Sequence, residues 1–269
     1  MYTDYYRLSD EPFNITPDPR YLYLTARHRE AINHLLFGVR QRKGFICLTG
    51  EVGTGKTTLC RALLRQLDEM FETALILNPV LTETQLLRAI VDEFRIETKR
   101  RDRLGYMTLL NEFLLKLDAA GRTAVLIIDE AQDMPNDTLE MTRLLSNLET
   151  DSRKLLQIVL VGQPELRDKL AKPSLRQLSQ RITVRYHLDN LTRDETELYI
   201  RHRLSVAGGD GVVQFDGSAI KEIHHHSNGT PRLINAISDK ALLAGFVYRT
   251  GTIDRRIIRL AVRELKEAG

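Results

Sequence analysis

Short apolar runs alternate with longer amphipathic stretches along most of the chain. Four runs are continuously apolar, as expected for parallel strands covered on both faces, and a fifth is more mixed. We predict five strands, at residues 45–49, 74–78, 124–129, 157–161 and 183–188. Between them, residues 57–70 and 106–120 repeat apolar positions at three- and four-residue spacing, which indicates amphipathic helices. This alternation favours an α/β fold with a five-stranded parallel sheet.

The pattern changes after about Leu191, where the strand signals stop. Four helical patterns follow, at residues 192–207, 216–227, 231–247 and 254–267. We therefore expect an α/β core followed by a mostly helical second domain. The predicted division is an N-terminal segment at 1–44, the α/β core at 45–190 and the helical domain at 191–269.

Composition excludes several classes of protein. Among 269 residues, 39 Lys and Arg balance 36 Asp and Glu, so the net charge of +3 does not by itself indicate a nucleic-acid or membrane binder. Two cysteines exclude a disulfide scaffold and a cysteine-rich zinc site. The chain has no apolar run of membrane-spanning length and no signal peptide at its start, which predicts a cytoplasmic protein.

The first motif with clear chemistry follows the first predicted strand. Residues 50–57 match G-x-x-x-x-G-K-[ST], the phosphate-binding loop, between an apolar strand and an amphipathic helix. Glycines let backbone N–H groups point at phosphate oxygens, and the helix N-terminus adds partial positive charge. Lys56 is expected to reach the β- and γ-phosphates, and Thr57 to ligate Mg²⁺. The predicted nucleotide-binding residues are Gly50, Glu51, Val52, Gly53, Thr54, Gly55, Lys56, Thr57 and Thr58.

An acidic pair completes the motif at the end of the third predicted strand. Asp129 and Glu130 follow a buried apolar run. We expect Asp129 to hold Mg²⁺ through water and Glu130 to polarise the attacking water. Adjacent residues at a strand end point to different sides, which suits two different roles. The alternative, that the pair only caps the next helix, is disfavoured by the phosphate loop.

The loop and the LIIDEAQ segment together resemble AAA+ ATPases, specifically the ExeA/GspA-like (general secretion pathway protein A) branch. Further segments resemble that branch along almost the whole chain, and several also occur in TnsC/TniB-type transposition ATPases. They are Phe13 with 17–19, then 28–31, 161–166, 178–182 and 229–235. The resemblance implies a P-loop NTPase core with a C-terminal helical lid, ATP and Mg²⁺ as ligands, and an oligomer.

The resemblance also implies roles for residues outside the loop. Gln163, where the family more often has Asn, is expected to orient water near the γ-phosphate. Arg181 is the expected trans-acting arginine, with Arg176 as the rival candidate. Arg232 near a helix start is expected to reach the γ-phosphate and couple the lid to the nucleotide; the alternative is a surface salt bridge.

The N-terminal segment is expected, by the same resemblance, to lie over the adenine. Phe13, Ile15 and Tyr23 offer apolar or stacking surface, and core packing is an equal alternative for each of them. His28 and Arg29 are candidates for contacts with the base or ribose.

Two functions of different classes follow. The first is an oligomerising ATPase that drives or switches assembly of a secretion, pilus or export apparatus, with an envelope protein as partner. Its location would be the cytoplasm, or the inner face of the membrane through a partner or a further C-terminal segment. The second is an ATP-dependent DNA-binding regulator of the transposition type, which requires a basic stripe that contacts phosphates. The near-neutral net charge favours the first.

Overall fold

The structure, a computed structural model, describes residues 1–14, 18–151, 153–209 and 211–267. Strands in this part of the chain are β1 (Phe45–Gly50), β2 (Phe71–Ile76), β3 (Thr123–Ile128), β4 (Leu156–Gly162), β5 (Ile182–Leu188), β6 (Gln214–Phe215) and β7 (Thr252–Ile253). Its helices are α1 (Tyr2–Tyr5), α2 (Ala26–Arg40), α3 (Lys56–Gln66), α4 (Glu83–Glu93), α5 (Arg103–Ala119), α6 (Asn136–Leu145), α7 (Pro164–Leu170), α8 (Arg176–Arg181), α9 (Arg193–Val206), α10 (Gly217–Ser227), α11 (Pro231–Val247) and α12 (Arg255–Glu267).

Residue contacts divide the chain into two units. The sheet unit comprises Ala26–Gly50 and Lys56–Leu188. The helical unit comprises Met1–Thr25, Glu51–Gly55 and Asp189–Gly269. The division into an N-terminal segment at 1–44, an α/β core at 45–190 and a helical domain at 191–269 stays a prediction.

The sheet unit is built on five parallel strands in the order β2-β3-β4-β1-β5. Every residue of β1, β3 and β4 is buried, which explains why these strands are continuously apolar in sequence. The predicted fold class is confirmed. The bounds of β2 were wrong: it ends at Ile76, and Leu77 is half exposed, because only Phe71–Ile76 pairs with β3.

Parallel pairing brings the carboxyl ends of the strands to one edge of the sheet. In register, Thr49 of β1 lies opposite Gly162 of β4, and Ile128 of β3 lies opposite Leu160. The residues directly after β3 and β4 therefore emerge close together, at the edge where ligands bind in open α/β sheets.

The helical unit has its own apolar core, formed mainly by α9–α12. Tyr6 and Phe13 from the N-terminal segment are almost fully buried in this core. After Leu191, where the sequence carries no further strand signal, the two short strands β6 and β7 pair in parallel. Strands of two residues are too short to produce a periodic pattern in the sequence.

Among the residues that the structure describes, no helix combines the length and apolar character required for a membrane span.

Gly229 forms the turn between α10 and α11. Its φ of +72° lies in the left-handed region, and its carbonyl accepts a 2.9 Å hydrogen bond from the N–H of Leu191. A Cβ at this position would lie 1.9 Å from the carbonyl oxygen of Leu191. Both the backbone conformation and the close approach therefore require glycine.

We predict that Gly229→Ala lowers the free energy of unfolding by about 2 kcal/mol or more, because strain and a backbone clash act together. The matched control is Gly217→Ala, since a Cβ there would contact nothing within 4 Å. Urea unfolding of both variants measures the difference. Equal stability of the two variants would contradict this account of the turn.

Candidate phosphate-binding site

The phosphate-loop sequence lies between β1, which ends at Gly50, and α3, which begins at Lys56. Gly53 and Gly55 have φ of +80° and +96°, which glycine adopts without steric cost. The first N–H groups of a helix have no partner inside the helix, and its dipole adds partial positive charge at that end. The start of α3 therefore has the properties of an anion-binding site.

The middle of the loop is closed by Thr54. Its N–H and its hydroxyl both donate to the carbonyl oxygen of Glu51, over 3.3 and 2.9 Å. Thr54 is buried, whereas Glu51 and Val52 are exposed. Thr58 is partly buried in the first turn of α3.

Lys56 carries a positive charge in a buried position. Its side chain is 6% exposed, and Nζ donates to the carbonyl oxygen of Gly50 over 2.7 Å. A buried ammonium group costs free energy unless hydrogen bonds or an anion compensate it. The site therefore holds a cation that an incoming phosphate would stabilise.

Thr57 and Asp129 join α3 to the end of β3. The Thr57 hydroxyl donates to Oδ2 of Asp129 over 2.5 Å, and the N–H of Glu130 donates to Oδ1 over 2.9 Å. These hard oxygen ligands are of the kind that Mg²⁺ prefers. The residues present thus fit a magnesium ion.

Burial raises the pKa of the Asp129 carboxyl above its ordinary value near 3.8. The hydrogen bonds from Thr57 and Glu130 lower this pKa, and the negative charge of Glu130 raises it further. Burial is the largest effect, so the ionised carboxylate is disfavoured. A divalent cation beside it would reverse that balance.

Glu130 leaves β3 in the left-handed region, with φ of +52°. Its Oε2 accepts hydrogen bonds from the amide Nε2 of Gln132 over 2.8 Å and from that of Gln163 over 3.2 Å. The structure therefore brings two residues predicted from sequence, Glu130 and Gln163, into direct contact.

Gln132 is a site residue that sequence reasoning did not single out. It lies in the short 3₁₀ turn Ala131–Asp133 that follows Glu130, and its Oε1 accepts from the N–H of Gln163 over 3.0 Å. The only signal was its place in the LIIDEAQ segment, two residues after Glu130.

Arg181, the predicted trans arginine, is the last residue of α8. The guanidinium Nη1 of Arg181 donates to Ser146 Oγ and Asn147 Oδ1, each over 2.6 Å, at the end of α6. Arg181 is partly exposed, and Arg176 at the start of α8 is exposed.

In the helical unit, Arg232 lies against the loop segment Glu51–Gly55. Its N–H donates to the carbonyl oxygen of Gly53 over 3.4 Å, and a Cβ on Gly53 would lie 2.7 Å from Arg232 Cβ. The Arg232 side chain is exposed and forms no salt bridge within the described ranges. The salt-bridge alternative for Arg232 therefore has no partner among those residues.

The N-terminal candidates lie in different environments. Phe13 packs edge-to-face on Phe215, with ring centroids 5.9 Å apart, so core packing applies to it. Tyr23 contacts the ring of His202 at 5.3 Å.

His28 is buried on α2, and Arg29 is exposed there. Ile15 lies outside the described residues.

Comparison with known proteins agrees with this geometry. Residues 39–170 match the family described as an AAA domain. General secretion pathway protein A of Aeromonas hydrophila is 49% identical over 98% of this chain and 48% of its own length. The chain thus spans about half the length of this relative.

Solved structures share the fold. Cdc6p of Pyrobaculum aerophilum aligns with a TM-score of 0.73 at 19% identity, over 96% of this chain and 71% of its own. A structure of Drosophila ORC bound to DNA aligns with a TM-score of 0.73 at 20% identity, over 97% of this chain and 66% of its own. Since strand order, loop, acidic pair and relatives agree, the chain has the fold of the AAA+ P-loop ATPases, carries an AAA domain over residues 39–170, and is similar to general secretion pathway protein A.

Proposed function

We propose that this chain is a Mg²⁺-dependent ATPase. The observation that carries the proposal is the contact between Thr57 and Asp129, because it joins two Mg²⁺-type oxygen ligands beside the buried ammonium of Lys56. The next residue after Asp129 is Glu130, whose carboxylate accepts hydrogen bonds from the amides of Gln132 and Gln163. A phosphate loop, a metal site and an adjacent base are the parts that phosphoryl transfer from ATP to water requires.

Each residue has a separate part in the proposed reaction. The loop N–H groups and Lys56 bind the β- and γ-phosphates of ATP, while Thr57 and Asp129 hold Mg²⁺. The ion, when bound, neutralises charge on the phosphate oxygens. Glu130 accepts a proton from the water that attacks the γ-phosphorus, as the bridging oxygen leaves with ADP. Gln163 orients that water.

We infer that the active site is completed in a homo-oligomer. Arg181 is the candidate that stabilises the transition state of the neighbouring subunit, and Arg232 contacts the γ-phosphate within its own subunit. The proximity of Arg232 to Gly53 supports its assignment, since both belong to one compact unit. For Arg181, the support is the partial exposure of the residue at the end of α8, where hydrogen bonds to Ser146 and Asn147 hold the guanidinium in place.

We further propose that turnover drives or switches assembly of a secretion, pilus or export apparatus at the bacterial envelope. The support is the 49% identity with general secretion pathway protein A. An envelope protein would be the partner, and the chain would act on the cytoplasmic side of the inner membrane.

A basic groove in the helical unit favours a second candidate, an ATP-dependent regulator that binds DNA. The groove lies between α10 and α12 and is an open depression of about 790 Å³. Its cationic lining residues are Lys221, Arg255, Arg259, Arg263 and Lys266. Glu222 pairs with both Arg255 and Arg259, which reduces the charge offered to phosphates. We therefore keep DNA binding as the second candidate.

We predict that Glu130→Gln retains ATP binding and loses turnover by about 10²-fold or more, because the amide cannot accept the proton from water. Steady-state phosphate release measures turnover, and titration with ATP measures binding. The control is Glu165→Gln, which removes an exposed carboxylate from the first turn of α7. Hydrolysis at the wild-type rate would remove Glu130 from its proposed role.

We predict that Asp129→Asn abolishes Mg²⁺-dependent ATP binding yet stabilises the ligand-free protein at neutral pH. The buried carboxylate has a raised pKa, so ionisation costs the folded state free energy as pH rises through that pKa. The difference in melting temperature should therefore shrink as pH falls and the carboxyl protonates.

Asp168→Asn, an exposed carboxylate on α7, is the control and should show neither effect. A melting temperature for Asp129→Asn that is lower than wild type at neutral pH would contradict the electrostatic account.

We predict that Arg181→Ala and Lys56→Ala each lose ATP hydrolysis when tested alone. For Arg181→Ala the rate should fall by about 10³-fold, as expected for a lost arginine finger, and a mixture of the two variants should regain activity. Each subunit then supplies what the other lacks. The matched control is a mixture of Arg176→Ala with Lys56→Ala. Restoration only with Arg176→Ala would transfer the role to Arg176, and no restoration with either folded variant would contradict action in trans.

A further inference from the structure

Gln132 lies at the junction of the two residues proposed to handle water. Its Nε2 donates to Oε2 of Glu130 over 2.8 Å, and its Oε1 accepts from the backbone N–H of Gln163 over 3.0 Å. A second hydrogen bond runs from Nε2 to Asp133 Oδ2 over 3.2 Å. The side chain is partly buried, so these partners replace much of its contact with water.

The chemistry of the two main partners fixes the orientation of the amide. An ionised carboxylate only accepts hydrogen bonds, and a backbone N–H only donates. The Gln132 amide therefore has one arrangement that satisfies both, with Nε2 towards Glu130 and Oε1 towards Gln163. A side chain that lacks either a donor or an acceptor cannot make this bridge.

Neighbouring residues hold Gln132 in place. The ammonium of Lys169, on α7, donates to the carbonyl oxygens of Gln132, over 2.9 Å, and of Met134. Burial lowers the pKa of Lys169, because the charged ammonium loses contact with water there. The turn that carries Gln132 is thus tied to the helix that follows β4.

Gly162, the last residue of β4, leaves room for the amide. A Cβ on Gly162 would lie 2.8 Å from Oε1 of Gln132, closer than ordinary contact allows. The sequence thus provides a residue without a side chain at the position where Gln132 reaches β4.

We propose that Gln132 is a positioning residue that links the end of β4 to the carboxylate of Glu130. It holds the backbone of Gln163 with one end of its amide and Oε2 of Glu130 with the other. A displacement of Gln163 by the γ-phosphate would thereby move the base. This inference rests on the proposed ATPase function and adds a residue to it.

Steady-state hydrolysis with Gln132→Ala tests the link. Loss of the bridge should lower kcat by about 10-fold or more through misplacement of Glu130, while the Kd for a non-hydrolysable ATP analogue stays within about twofold. Gln41→Ala removes an exposed glutamine from the same unit and should leave both values unchanged. A kcat for Gln132→Ala equal to or above wild type would overturn the proposal.

Gln132→Glu separates positioning from packing. The variant keeps the size of the side chain and an acceptor for the N–H of Gln163, but it places a carboxylate where Glu130 needs a donor. We expect its kcat to fall at least as far as that of Gln132→Ala, with a thermal melting temperature near wild type. A wild-type kcat in a folded Gln132→Glu variant would show that Gln132 only fills space.

A double-mutant cycle with Gln163→Ala tests whether the two amides act on the same carboxylate, because the variant keeps the backbone N–H that donates to Gln132 and removes the second amide donor to Glu130. If Gln132 acts through the same water-handling unit, the double variant should be no more than about twofold slower than the slower single variant. Independent, multiplying losses would overturn the link. The absence of ATP hydrolysis in the wild-type protein would instead contradict the proposed function, so the two failures are distinguishable.

Discussion

The contact between the hydroxyl of the partly buried Thr57 and the carboxylate of the buried Asp129 is the interaction on which the candidate site depends. It joins the start of α3 to the end of β3, two segments separated by more than seventy residues of chain. Burial raises the pKa of the Asp129 carboxyl, and such perturbed carboxyls are common at functional sites. The raised pKa and the paired oxygen atoms support the proposed role of Asp129 in holding Mg²⁺.

The topology of the sheet explains how a few short segments can form the candidate site. Parallel strands deliver the ends of β1, β3 and β4 to one edge, so short segments after each strand supply the loop, the acidic pair and Gln163. The strands themselves are buried and apolar, and they provide a rigid frame for these polar segments. The candidate site residues thus lie at strand ends, whereas the buried apolar interior of the sheet stabilises the fold.

Sequence reasoning identified the residues that chemistry constrains locally. The phosphate loop is one continuous segment of sequence, and so is the pair Asp129–Glu130. Each pattern could therefore be recognised without a structure. The bridge made by Gln132 could not, because it depends on the distance between two strand ends and on the absence of a side chain at Gly162. The two-residue strands β6 and β7 escaped prediction for a different reason: their pairing is long-range and leaves no periodicity.

The most direct test of the central claim is the steady-state ATPase rate with Mg²⁺ as protein concentration increases, measured with and without duplex DNA at low and moderate salt. The account predicts Mg²⁺-dependent hydrolysis with a rate per subunit that rises with concentration and does not respond to DNA. A rate that rises several-fold only with DNA, and falls with salt, would favour the DNA-binding regulator. No hydrolysis at any concentration of folded protein would contradict the account.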